Sequence, residues 1–258
     1  MKNAFAVAKK DFCSYLNSWV GVFVLVLFFV ITGLFFFFLV VSYARISMEA
    51  SQNLYQNVRG LGLTQFVFSS FFLNMGAVLI FFMPLLSMRA FAEERRHQTL
   101  ELLFTYPLSD FEIIWGKYTA MACFCAVMIV PTALYLGLIV WLGGSPDWGP
   151  VLVGYLGFWL LANAYLSLGL FVSAISENQV MSALITFGAL TVFWIMDWMG
   201  GLTDGNLAHF FTAASPLRHY REFTLGILDL SHIVYFCFFY FYFLFLALRA
   251  VETRNWKG

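Results

Sequence analysis

The sequence predicts an all-α, polytopic membrane protein with six transmembrane helices in a single domain spanning residues 1–258. Two observations carry that prediction. Of the 258 residues, 62% are hydrophobic and only 11% charged, whereas a soluble domain carries roughly 25% charged residues. With 32 Phe, 12 Tyr and 8 Trp, the chain has too little polar surface to cover a water-soluble globule. The apolar residues also fall in long runs. A helix needs about 20 such residues to cross a hydrocarbon core about 30 Å thick, while barrel strands would alternate over about ten.

Lys2, Lys9 and Lys10 open the chain, followed by an apolar run of about 23 residues from Trp19 to Val41. A secretory leader has an apolar stretch of about 7–15 residues and a small-residue cleavage site, so this run reads as a retained first span. Ahead of it, Phe5, Ala8, Phe12, Tyr15 and Leu16 share one side at helical spacing, with Lys10 and Asp11 elsewhere. That pattern predicts an N-terminal amphipathic helix lying at the membrane interface. The spans are expected near Trp19–Tyr43, Phe66–Met88, Tyr118–Leu142, Val151–Ala174, Val180–Gly201 and Ser231–Leu248. Pro84 and Pro131 should bend the second and third.

All fourteen Lys and Arg lie outside the middle of these runs. Ten fall on the side of the N-terminus, and four (Arg45, Arg59, Arg218 and Arg221) on the other. The excess of positive charge marks the cytoplasmic side. Both termini and the segment Met88–Lys117 are therefore expected in the cytoplasm, with the protein in the inner (plasma) membrane. On the other side, Ser42–Thr64 is polar. Leu202–Leu230 mixes an apolar stretch, Pro216 and several charges, a composition compatible with partial re-entry into the membrane.

Met88–Lys117, MRAFAEERRHQTLELLFTYPLSDFEIIWGK, is the most informative stretch. Consecutive charges Glu93, Glu94, Arg95 and Arg96 cost several kcal/mol at mid-bilayer, which makes the segment an aqueous elbow. Pro107 ends any helix before it. Ser109 and Glu112 have capping-box spacing, so the helix of the third span should start there. Glu94, Gln98 and Glu101 stand at i, i+4 and i+7, opposite Leu100, Leu103 and Phe104.

This stretch resembles the signature of type-two ABC exporter permeases, E-E-R-x-x-G-T-x-E-x-L-x-x-x-P followed by a G-K pair. The matching residues are Glu93, Glu94, Arg95, Thr99, Glu101, Leu103, Pro107, Gly116 and Lys117; Gln98 departs, where the family usually has Gly. The opening, KKDFCSYLNSWVGVFVLVLFFVITGLFFF, and the end, SPLRHYREFTLGILDLSHIVYFCFFYFYFLFLALRAVETRNW, are similar to the gliding-motility branch of that family. The resemblance implies a six-span permease working as a pair of membrane subunits, expected to be a homodimer. Two separate ABC ATPase subunits would bind ATP and Mg²⁺, leaving no cofactor in this chain. The elbow, with Glu93, Glu94, Arg95, Arg96, Thr99, Glu101 and Leu103, would be the piece that sits in a cleft of the ATPase.

The residues agree by omission. A phosphate-cradling loop needs G-x-x-x-x-G-K-[ST], but Phe111 stands at the first Gly position and Tyr118 follows Lys117. Formal charge is zero, which removes a bulk electrostatic case for nucleic acid. The four cysteines and four histidines show no metal-type spacing. A membrane-embedded lipid-processing enzyme would need acids or histidines gathered at one depth, and an ion-driven secondary transporter would need inverted repeats; neither pattern is visible. Three polar residues fall within spans. Asn74 and Asn163 read as interhelical hydrogen-bonding residues. Asp197, between Trp194 and Trp198, lies about 27 Å along its helix from the preceding turn and reads as a hydrated acid at the outer interface.

Overall fold

The computed structural model describes residues 2–52, 62, 64–92, 94, 109–202 and 205–255. Among them there is no strand, and six helices are long and apolar enough to cross a membrane. Helix α1 is Lys2–Asn17 and α2 is Trp19–Gln52. A π-helical turn, Thr64–Ser69, runs into α3, Ser70–Ser87. The third span consists of α4, Asp110–Ile129, and α5, Leu134–Trp141, joined by a 3-10 turn at Val130–Ala133. Helices α6, Trp148–Ile175, and α7, Gln179–Leu202, form the fourth and fifth spans. Two short helices follow, α8 at Asn206–Ala214 and α9 at Pro216–Thr224, before α10, Leu230–Asn255.

The helix ends follow local chemistry. The capping box is present: Glu112 N–H donates to Ser109 Oγ at 3.3 Å, and Ser109 N–H donates to Glu112 Oε2 at 3.4 Å. The third span thus begins at Asp110, eight residues before the apolar run. Pro131 lacks the amide an α-helix needs, and the helix changes to 3-10 there. Helix α2 continues to Gln52, through residues whose polarity alone reads as a loop. Ala44, Met48, Glu49 and Ala50 are good helix formers, and no Gly or Pro interrupts them.

Helix α6 is the central pillar, with most of its residues buried, including Phe158, Leu161, Tyr165 and Leu170. Tyr118 of α4 donates to Asn163 Oδ1 at 3.0 Å, while Asn163 Nδ2 donates to Trp159 O at 2.8 Å. Asn163 thus bonds across helices as expected. Asn74 bonds within its own helix, donating to Ser70 O at 2.7 Å.

Helix α9 inserts between α3 and α6 and buries Pro216, Leu217, Tyr220, Phe223 and Thr224. Phe223 lies against Gly157, where any Cβ would overlap its ring. Gly157 is nine residues into α6, so α9 reaches about 13 Å along that helix at 1.5 Å per residue. Tyr220 donates its hydroxyl to Phe72 O at 2.7 Å, and Ser69 donates to Thr224 O. The segment that composition left open to re-entry therefore packs inside the bundle at this end. It is also fastened to α10. His219 and His232 face each other, Nδ1 to Nδ1, at 2.8 Å, and His219 stacks on Tyr235 with ring centroids 3.9 Å apart. The separation of thirteen positions between these histidines hides their contact from spacing rules.

Candidate functional site

At the opposite end of the bundle, α1, α3 and α4 meet around one buried amine. The Ser173 hydroxyl pins the turn after α3 to α6: Ser173 Oγ accepts from Phe91 N–H at 3.1 Å and Ala92 N–H at 3.4 Å, and donates to Met88 O at 3.4 Å. Phe91 and Ala92 are buried. This fixes the chain direction at Glu94, where the elbow begins. Arg89 donates to Ser18 Oγ, tying the same turn to the junction of α1 and α2.

Helix α1 lies against α4 because Gly116 lets it approach. A Cβ at Gly116 would stand 2.8 Å from Ala4 O and 2.9 Å from Val7 Cβ. The next residue, Lys117, is only 2% exposed. Its Nζ lies 2.8 Å from Glu94 Oε1 and 3.2 Å from Asp11 Oδ2, and 5.0 Å from the centroid of the Phe91 ring. Lys10, at the surface, adds looser contacts of 3.7 Å to Glu94 and 3.9 Å to Asp11. Among the described residues, two cations and two carboxylates meet in this cluster, and a buried charge requires such pairing. The aromatic face adds a further stabilising contact for the amine.

The buried stripe of α1 is Ala4, Ala8 and Tyr15, with Asp11 turned to Lys117 on the same side. The expected apolar side buries Ala8 and Tyr15 and packs Phe12 and Leu16 against the core, and two residues depart from the division. Phe5 is 72% exposed, and Asp11 faces the protein. A helical wheel sorts residues by polarity, whereas here a buried amine determines where the carboxylate belongs.

Among the elbow residues, Glu94 is placed in this cluster. Glu93, Arg95, Arg96, Thr99, Glu101 and Leu103 lie outside the described residues. Lys117 and Glu94 are named by the motif, but Asp11, which pairs with Lys117, and Lys10, which flanks both carboxylates, are not. Their signal in the sequence is a lone acid among the basic residues of an amphipathic start. Asp197 is not a merely hydrated boundary residue either. Its carboxylate accepts from Arg221 Nη2 of α9 at 3.1 Å, and its side chain is 9% exposed.

The cluster thus joins three pieces: the N-terminal helix, the start of the elbow, and the first turns of the third span. A family model, that of the ABC-2 family transporter proteins, matches residues 5–251. The chain belongs to the ABC-2 transporter family. No curated protein matches it. As an ABC-2 membrane protein, the chain is a permease subunit of an ABC transporter. Its charge cluster occupies the ends of the motif that resembles the permease signature, the acid pair at one end and the Gly-Lys pair at the other.

Proposed function

We propose that this permease couples ATP hydrolysis by a separate ATPase subunit to export across the inner (plasma) membrane, working as a homodimer with its termini and elbow in the cytoplasm. The observation that carries this reading is the Lys117 clamp. Glu94 enters the elbow already bound to Lys117 at 2.8 Å, and Ser109 leaves it as the cap of α4. A segment held at both ends against one span is suited to transmit a push. A load on residues 95–108 would reach α4 directly and α1 through Asp11. The ATPase would supply the site for ATP and Mg²⁺, and the elbow residues Glu93, Arg95, Arg96, Thr99, Glu101 and Leu103 would meet it.

The resemblance of the two ends of the chain to the gliding-motility branch supports a role in envelope export or surface motility. The test is reconstitution in lipid. The permease with its ATPase is expected to hydrolyse ATP in a cargo-dependent manner, and the isolated permease is expected neither to bind nor to hydrolyse it. Nucleotide binding by the homogeneous permease alone refutes the reading.

A further inference from the structure

The end of the bundle away from the termini holds a second charged site. A cavity of about 470 Å³ opens between α3, α7 and α9, with Asn74, Trp194, Asp197, Trp198, Leu217 and Arg221 on its wall. Asp197 and Arg221 form its ion pair at 3.1 Å, the carboxylate 9% and the guanidinium 44% exposed. Trp194 and Trp198 are 44% and 66% exposed. They stand one helical turn apart, on either side of Asp197 in sequence. Tryptophans with one wet and one apolar side gather where headgroups meet acyl chains, and Asp197 lies about 27 Å from the start of α7 at Gln179.

We propose that this cavity binds the headgroup of a zwitterionic, ammonium-bearing phospholipid from the leaflet opposite the chain termini. The charges choose the ligand. A lone anion drawn to Arg221 meets Asp197 beside it, and a lone cation drawn to Asp197 meets Arg221. A headgroup carrying both signs answers both poles, its phosphate on the guanidinium and its ammonium on the carboxylate, against the indole faces. Leu217 and the tryptophans supply an apolar wall for the first methylenes of the acyl chains. The site stands whether or not the coupling reading holds.

The experiment purifies the full chain from vesicles of equimolar phosphatidylethanolamine and phosphatidylglycerol and counts co-purified lipid by native mass spectrometry. The parent protein is expected to retain phosphatidylethanolamine in about fivefold excess. Asp197→Asn leaves Arg221 as the only charge among the described residues of the cavity wall and should reverse the preference toward phosphatidylglycerol. Trp198→Leu keeps an exposed apolar side chain, so the fold is preserved, and should cut retained phosphatidylethanolamine several-fold. Soluble glycerophosphoethanolamine, which carries the headgroup without acyl chains, should displace little of it. Retention of the two lipids in the mixing ratio by the parent overturns the proposal. Parent-like selectivity in both variants does the same, as does full displacement by the soluble headgroup.

Discussion

Lys117→Met removes the amine of the buried cluster while keeping the length of the side chain. Two carboxylates, Glu94 and Asp11, then lose contacts of 2.8 and 3.2 Å. Lys10 is 67% exposed and 3.7–3.9 Å away, so water screens it and it compensates weakly. Removing one partner of a buried ion pair costs about 3–5 kcal/mol. In a chain of this size, about 3 kcal/mol corresponds to a fall of roughly 6–12 °C in melting temperature. The triple change Asp11→Asn, Glu94→Gln, Lys117→Met deletes the three inner charges of this cluster with little change of shape. It should recover more than half of that loss, because uncharged groups of similar volume replace a buried pair at little cost. The assay is thermal unfolding of the purified permease in lipid nanodiscs, paired with ATPase coupling in the reconstituted complex. The triple variant should be stable yet poorly coupled, since the elbow has lost its anchor. If Lys117→Met melts within about 2 °C of the parent and remains coupled, the clamp holds nothing together and the argument is wrong.

Three further outcomes are expected. On a background lacking Cys13, Cys123, Cys125 and Cys237, Glu101→Cys should be shielded from an impermeant reagent applied outside intact cells, while Asn53→Cys should react; the reverse labelling inverts the topology. Glu101→Arg should weaken co-purification with the ATPase more than tenfold, because a charge-assisted contact worth about 1.5–3 kcal/mol becomes repulsive. Glu112→Arg is the control and should cost only the side-chain half of the cap, so equal and full coupling in both variants removes the elbow from its role. His219 has its pKa lowered, first by burial and then by His232 and Arg218, against the opposing hydrogen bond to Ala213 O. A lowered value means that the unfolded chain binds the proton more readily. Stability is therefore intact above about pH 6.5 and falls as pH drops toward the folded-state value; melting curves of the parent should show this acid slope, and those of His219→Phe should be flatter.

The spans were legible because hydropathy and length suffice for them, and the Ser109–Glu112 cap was legible because its partners are three residues apart. What remained hidden depends on contacts between distant residues. Lys117 and Asp11 are 106 positions apart, Arg221 and Asp197 are 24 apart, and each pair joins different helices. Periodicity placed Asp11 on a polar face and Phe5 on an apolar one. It carries no information about a cation waiting on α4, so polarity and burial diverged there. Asp197 likewise reads from the sequence as a hydrated acid, because no spacing rule places Arg221 beside it. The helical continuation of α2 was hidden for a different reason: its last turns are polar but favour helix, and polarity was the weaker guide.

The position of α6 bears on the route cargo takes. A subunit whose middle is a solid helix, wedged at one end by α9 with Tyr220 and Phe223 fully buried, is built as a wall rather than a tube. On the export reading, cargo passing beside such a wall would travel over side chains on its perimeter, and the width of the passage would be set by whatever stands opposite. Such a part can serve a bulky cargo without being large itself, because widening the passage requires neighbours to separate and leaves the packing around the pillar intact. The outward faces of α2, α7 and α10, which would then meet the cargo, are dominated by exposed Phe, Val, Leu and Trp.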